Sequence, residues 1–327
     1  MMKAAILILA GGGGHTSIAV ALAQNLREKT KITFLVPRND WLSEKLLKGY
    51  GEVGHLVKPR DPFTPNYLFL LRFPLALIQS FFKVKRGFCL VISCGSNFCI
   101  APALVAWLKG IPVINIESRV ALKKHSKTAR LLKPFSALTI LQWEEQADNL
   151  EGVVSGPIFP RPEFEPQKRG YILVTGGTQG HKKLFDAISD SDINDVVLQT
   201  GKVDPEPYRR KHPEWKVFSL TVNFQEILAG ADVVVTHQGG GTIYEAIIYK
   251  KPLIIVHNPE LKRTANEEDM RLLAKKVNAK YLTEVNTNKI IEAIKEMEEY
   301  TPLDFPDGTE NVTKLILNIL HDSNSLK

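Results

Sequence analysis

Four consecutive glycines, Gly11–Gly14, separate an apolar run from a helix-like stretch, and His15 follows them at once. Glycine lets backbone N–H groups approach a ligand closely, and the N-terminus of a helix favours an anion. A histidine at the same turn adds an imidazole that titrates near neutrality. Two further turns share this character: "VTGGTQGHK" (Val174–Lys182) and "VTHQGGGTIYEAI" (Val235–Ile247). In the last, Gly239, Gly240 and Gly241 offer amides to a diphosphate, and Glu245 is expected in the first turn of the helix that follows. A carboxylate there would repel phosphate but could accept two hydrogen bonds from a ribose diol. Its plainer alternative is to complement the helix dipole. Three such turns in one chain favour a nucleotide.

Familiar phosphate motifs fit poorly. A dinucleotide fingerprint requires a third glycine where Thr16 or Ser17 stands, and an acidic residue where the second strand ends in Pro37 and Arg38. The Gly-Lys-Ser/Thr of a P-loop is absent. Asp190 and Asp192 form a D-x-D, but they precede a strand and so lie at the end of the sheet away from the glycine turns. The three cysteines, Cys89, Cys94 and Cys99, are spaced by five and do not make a zinc pattern; they read as reduced, buried residues. The net charge of +7 suits nucleic acid, an anionic membrane surface or an anionic substrate without choosing among them.

The elements that must carry these turns are those of an α/β protein. At 327 residues, 44% hydrophobic, the chain is long enough for two domains. Ala4–Ala10, Ile32–Val36, Cys89–Ser93, Val113–Ile116 and Leu138–Leu141 read as buried parallel strands separated by helices. Thr16 or Ser17 is expected to cap the first helix. "SGPIFPRPEFEPQKRG" carries four prolines and no periodicity, which marks a linker. A second series, "YILVT", "DVVLQT", "WKVFSL", "DVVVTH" and "PLIIVH", follows. The expected division is residues 1–155, a linker 156–170, and residues 171–327, with the last amphipathic helix free to pack back on the first domain. Lys3 and the seven apolar residues after it mimic a signal peptide, but no A-x-A site follows. Ligands in such folds sit at the C-terminal ends of the strands, where all three glycine turns fall, so a cleft between two parallel sheets is expected.

At these residues the chain resembles a known family. "AGGGGHTSIAVALA" resembles the G-G-x-G-G-H loop of GT-B-fold N-acetylglucosaminyltransferases of the MurG-like superfamily, and the two later glycine turns are similar to their donor loops. "INIESRVALKKHSKTARLLKPFSALTILQWEE" (Ile114–Glu145) and "THQGGGTIYEAIIYKKPLIIV" resemble, respectively, the membrane-anchoring and catalytic subunits of the eukaryotic transferase that extends dolichol-pyrophosphate-GlcNAc, as if the two were fused in an archaeal-type homologue. The resemblance implies an inverting transfer of GlcNAc from UDP-GlcNAc to a sugar on a lipid pyrophosphate. It implies no cofactor, no metal in the site and no nucleic-acid partner. Gly176, Gly177, Thr178, Gly180, His237, Gly239–Gly241 and Thr242 would hold the donor, with Glu245 on its ribose. Gly12, Gly13, Gly14 and Thr16 would face the acceptor phosphate, and His15 would be the base, with Glu117 as the alternative base or as the group that orients His15. Family members place glutamines on the donor after the "PLIIV" strand; this chain has "ANEEDMRLLA", where Asn266 and Glu267 are the nearest candidates. A UDP-GlcNAc 2-epimerase, which shares the fold, and a non-catalytic nucleotide-sugar-binding subunit are the alternatives.

A lipid-linked acceptor requires a membrane surface, and "YLFLLRFPLALIQSFFKVKRGF" (Tyr67–Phe88) is the candidate for it. Leu70, Leu71, Phe73, Leu75, Phe81 and Phe82 supply apolar bulk, and Lys83, Lys85 and Arg86 a basic cluster. Arg72 and Pro74 argue against a spanning helix. An interfacial anchor on the cytoplasmic face is expected, against the alternative of a core helix.

Overall fold

The computed structural model describes residues 3–61, 64–261 and 265–325, and the chain divides into two compact units, 1–160 with 305–327, and 161–304. In the first unit the order is β1 (Ala4–Leu9), α1 (Gly14–Leu26), β2 (Thr30–Pro37), α2 (Trp41–Leu47), β3 (Glu52–Leu56), α3 (Asn66–Lys83), β4 (Leu90–Ser93), α4 (Ile100–Leu108), β5 (Val113–Ile116), α5 (Lys127–Leu132), β6 (Leu138–Leu141) and β7 (Val153–Val154). All the strand pairs are parallel, in the order β3-β2-β1-β4-β5-β6-β7. Strands flanked by helices on both faces read as unbroken apolar runs, and Ile6–Leu9 of β1 are fully buried.

In the second unit the order is β8 (Ile172–Thr175), α6 (Lys182–Ser189), β9 (Val196–Gln199), α7 (Glu206–Lys211), β10 (Lys216–Phe218), α8 (Phe224–Gly230), β11 (Val233–Thr236), α9 (Gly240–Ile248), β12 (Leu253–Val256), α10 (Glu267–Lys276), β13 (Lys280–Leu282) and α11 (Thr287–Glu296). Its sheet runs β10-β9-β8-β11-β12-β13, again with parallel pairs. Both orders follow the doubly wound pattern, which reverses beside the first strand of each sheet. In such sheets ligands sit beside the reversal, which here falls at the C-terminal ends of β1 and β4 in one unit and of β8 and β11 in the other.

The chain returns to the first unit through α12 (Gly308–Ser325). Val312, Ile316 and Leu320, four residues apart, are buried in the same core as the apolar face of α1. Gly156 and Gly308 meet backbone to backbone: a Cβ on Gly156 would lie 3.4 Å from the Gly308 Cα. The Thr309 hydroxyl donates to the Phe159 carbonyl (2.8 Å) and accepts from the Phe159 N–H (2.9 Å).

α1 begins differently from the expectation. Its first helical residue is Gly14 and its N-cap is Gly13, so Thr16 and Ser17 lie inside the first turn. Gly13 adopts φ 57° and ψ −131°, a conformation open only to glycine, and this starts the helix without a side-chain cap.

Candidate functional site

In the first unit the glycine turn and the loop after β4 meet at the strand-order reversal. The His15 Nδ1–H donates to the Cys94 carbonyl (2.8 Å), and the ring lies against Gly95, where a Cβ would stand 3.0 Å from Nδ1. That bond fixes the tautomer and leaves Nε2 with its lone pair. Burial, with Lys58 and Arg119 nearby, lowers the imidazole's pKa to about 4, so at neutral pH it is uncharged and able to take a proton. The His15 and Thr16 amides are occupied by the Gly12 and Gly13 carbonyls. The amides of Gly13 and Gly14 are among those no intrahelical carbonyl can satisfy.

Two expectations for this unit are corrected. The Thr16 side chain is buried, and its hydroxyl is 2.6 Å from Ser43 Oγ. Because Ser43 Oγ–H is committed to Asp40 (2.8 Å), Thr16 is the donor in that pair, and its hydroxyl braces α1 against α2 rather than facing a phosphate. Glu117 is fully buried, with Oε1 accepting from the Ser118 N–H (2.5 Å) and Oε2 from the Ser126 N–H (2.9 Å). A carboxylate so placed holds the 118–126 loop and does not reach an acceptor hydroxyl; the group that orients His15 is the Cys94 carbonyl. Sequence reasoning missed Arg119 and Lys58. Arg119 is buried and donates to the carbonyls of Gly14 (2.6 Å) and Ile158 (3.1 Å), tying the glycine turn to the 155–160 segment. Their signal, basic residues two or three positions past a strand, is too common to stand out.

In the second unit the turns after β8 and β11 converge on one side chain. A Cβ on Gly177 would stand 3.3 Å from His237 Nε2, and one on Gly239 2.6 Å from the same atom. His237 is buried, its Nδ1 has no hydrogen-bond partner among the described residues, and burial holds its pKa down to about 3. His181, also buried, donates from Nε2 to the His257 carbonyl (3.3 Å). Gln238 and Asn258 bond reciprocally at 2.7 Å, fixing the β11 turn to the β12 turn. Some glycines here serve packing rather than a ligand: a Cβ on Gly176 would run into the Gly180 backbone, and Gly180, at φ +83°, sits against the Thr200 carbonyl. The Gly177 and Gly180 amides are taken by Thr175 Oγ1 (3.0 Å) and the Gly176 carbonyl (2.9 Å), so the turn uses both to hold its own shape.

α9 begins at Gly240, so Glu245 is its sixth residue, in the second turn rather than the first. It lies one turn below Gly241 and Thr242 on the same face, half-buried. Asn266 and Glu267 are occupied elsewhere. Asn266 is the N-cap of α10, its Oδ1 accepting from the Asp269 N–H (2.8 Å). Glu267 is exposed and paired with Arg271 (2.6 Å). Three carboxylates, Glu267, Glu268 and Asp269, open that helix and make it a poor place for a diphosphate.

α3 is continuous through Pro74. One face, with Ala76 and Ser80, is buried; Phe73 lies on that side, packed on the core with Val84 and Phe98, so it is a core contact rather than a membrane one. The other face is apolar and open: Leu70 and Leu71 are each 70% exposed and Phe82 75%, with Leu75, Ile78 and Phe81 beside them. Trp107 and Leu108 at the end of α4 extend it, and the Lys109 Nζ stands 4.4 Å over the Phe81 ring. Among the described residues no helix is long and apolar enough to cross a membrane.

Residues 171–316 match the glycosyltransferase family 28 C-terminal domain. The chain is 28% identical over 294 residues, 81% of its length and 78% of the relative's, to a UDP-N-acetylglucosamine–N-acetylmuramyl-(pentapeptide) pyrophosphoryl-undecaprenol N-acetylglucosamine transferase of Synechococcus elongatus. The crystal structure of Acinetobacter baumannii MurG superposes with a TM-score of 0.64 at 17% identity, over 97% of this chain and 99% of that one. A putative UDP-N-acetylglucosamine 2-epimerase of Listeria monocytogenes gives a TM-score of 0.68 at 13% identity, over 98% and 96%. At those identities the structural likeness concerns the fold alone, which is the two-domain α/β architecture of GT-B enzymes.

Proposed function

We propose that this chain, a glycosyltransferase of the MurG-like type with a family 28 C-terminal domain, transfers N-acetylglucosamine with inversion from UDP-N-acetylglucosamine to a sugar on a polyprenyl diphosphate, working at the cytoplasmic face of a membrane. The observation that carries the reading is the convergence of the β8 and β11 turns on His237 at the N-terminus of α9, within the matched domain. Amides and a helix dipole there favour the diphosphate of the donor and stabilise the charge that grows on it as it departs. Glu245, one turn down, accepts from the ribose hydroxyls.

The step breaks the bond between the sugar C1 and the diphosphate oxygen and forms one from C1 to the acceptor oxygen. UDP leaves with the electron pair, and His15 Nε2 takes the acceptor's hydroxyl proton. The acceptor diphosphate lies on the first glycine turn, at the Gly13 and Gly14 amides. The Ile114–Glu145 likeness supports a dolichol-type acceptor within this class. The outer face of α3 supports contact with the bilayer in which such an acceptor resides.

The test is incubation with labelled UDP-N-acetylglucosamine and polyprenyl-diphosphate sugars, followed by product analysis. Acceptor-dependent transfer of the label with release of UDP is expected. Conversion of the donor to its 2-epimer without acceptor would overturn the reading in favour of an epimerase.

A further inference from the structure

We infer that Lys58 is the cation that holds the acceptor's diphosphate on the first glycine turn, and that its occupation readies His15. The inference rests on the proposed transfer for the identity of the anion, and on four features of the first unit for its place. A Cβ on Gly12 would stand 3.8 Å from the Lys58 Nζ, so the ammonium overhangs the turn. The side chain is 25% exposed, which leaves the charge within reach of a ligand, and its counter-ion is Asp61 at 3.3 Å. Gly13 next to it is open: no heavy atom outside its immediate neighbours lies within 4 Å of a Cβ placed there. The segment between β3 and Lys58 is fixed at two points, the Arg38 N–H donating to the Leu56 carbonyl (2.7 Å) and the Val57 N–H to the Gln79 Oε1 of α3 (3.0 Å).

That last bond has a geometric consequence. α3 presents its apolar face outward and holds the Lys58 segment from its inner side. A diphosphate joined to a polyprenyl chain sits at the boundary between hydrocarbon and water. A cation tethered to the helix proposed to meet that boundary is placed for such an anion, and less so for a soluble nucleotide.

Lys58 also acts on the base. The charged groups around His15 are Lys58 after β3 and Arg119 after β5; the Asp40 carboxylate lies beside Gly12 and Asp61 beside Lys58. The Cys94 and Cys99 thiols, on the loop that carries the Cys94 carbonyl, are held neutral by burial. Burial first, and then the two cations, disfavour imidazolium in the unliganded protein. A diphosphate on Lys58 offsets that repulsion and raises the proton affinity of His15. The base then gains strength only when an acceptor is present.

The test uses the full chain with saturating UDP, so that the second unit is occupied, and follows the His15 ring protons by NMR during titration with inorganic pyrophosphate. In the parent, pyrophosphate should move the His15 midpoint upward. In Lys58→Met the unliganded midpoint should already lie higher, and pyrophosphate should bind at least tenfold more weakly, with Lys58→Arg intermediate. In turnover, Lys58→Met should raise the acceptor KM while leaving the donor KM unchanged, and in the parent the acid limb of kcat should lie at higher pH than that of kcat/KM. Pyrophosphate that leaves His15 unmoved in the parent, or that binds Lys58→Met as tightly, overturns the inference. Lys58→Met should also sediment with phosphatidylglycerol vesicles as well as the parent; a loss there would make Lys58 a headgroup contact instead. If pyrophosphate binding depends on Lys58 but no sugar is transferred, the site stands and the transferase reading falls.

Discussion

At the scale of single residues, the groups that were legible were those whose type is costly to place without purpose. Four glycines and a histidine at a strand–helix turn stand out because glycine in a helix start gives up backbone entropy and bare amides. Lys58 and Arg119 did not stand out, because their role comes from strand register that brings the ends of β3 and β5 to the β1 turn. Glu117 misled for a related reason: a carboxylate at a strand end suits catalysis in sequence, but here it accepts two backbone N–H groups. His15→Ala should lower turnover by roughly 10²–10⁴-fold, the range of a positioned general base, with UDP affinity nearly unchanged, since the turns proposed to hold the donor belong to the other unit. Steady-state kinetics with calorimetry on UDP would check both halves. The pH dependence has a definite sign. An imidazole with a pKa of about 4 in the free protein carries no proton near neutrality, so kcat/KM should hold down to about pH 5 rather than fall at the ordinary histidine value near 6.5. A limb at 6.5 would show that His15 is not the titrating base. Glu245→Ala removes hydrogen bonds to a charged acceptor, each contributing about 1.5–3 kcal/mol, and should weaken UDP binding by roughly tenfold or more while thermal unfolding stays unchanged. Equal affinity in the two proteins would remove Glu245 from the ribose.

At the scale of elements, the central strands were readable and the edges were not. The named strands of both series lie within a residue or two of β1, β2, β4, β5, β6 and β8–β12. β3, β7 and β13 were missed. "EVGHL" in β3 mixes Glu, Gly and His with two apolar residues, and an edge strand tolerates that because one flank carries no neighbouring strand. Pro74 argues against a membrane-spanning helix without breaking α3, which passes through it; the exposed outer face lets water take the carbonyl left without a donor. α12 has an apolar stripe that fits any core, so the sequence left its docking on the first domain as one option. Its burial against α1 makes a stability prediction. Ile316→Ala should cost about 2–5 kcal/mol, the usual range for emptying a buried Ile site. Urea unfolding followed by tryptophan fluorescence should show a lower midpoint with an unchanged slope. A midpoint within error of the parent would mean that α12 is not part of the first unit's cooperative core.

At the scale of the whole molecule, composition narrowed the partners without selecting one: +7 fits several anions. Distribution favours the anionic membrane surface proposed above. The open apolar residues of α3 and the end of α4 adjoin Lys83, Lys85, Arg86 and Lys109, so bulk and charge occur in one region of the first unit. Single exposed leucines are ordinary on protein surfaces, but a continuous stripe through Leu71, Leu75, Ile78 and Phe82 at helical spacing is not. Burying several such side chains in a bilayer interface contributes about 1.5–3 kcal/mol each at full burial, and each basic residue near an anionic surface about 1 kcal/mol. These contributions are large enough to hold the protein on a vesicle without a spanning helix, and the electrostatic part must weaken with salt. The expected result is sedimentation with phosphatidylglycerol liposomes that falls as ionic strength rises, and that falls sharply for Leu70→Glu combined with Phe82→Glu. Both positions are more than two-thirds exposed, so the double variant should keep the parent's unfolding temperature. Lys83→Gln with Lys85→Gln should lose the salt-sensitive part and keep the apolar part. A soluble, folded Leu70→Glu/Phe82→Glu protein that still binds liposomes like the parent would move the membrane contact away from α3.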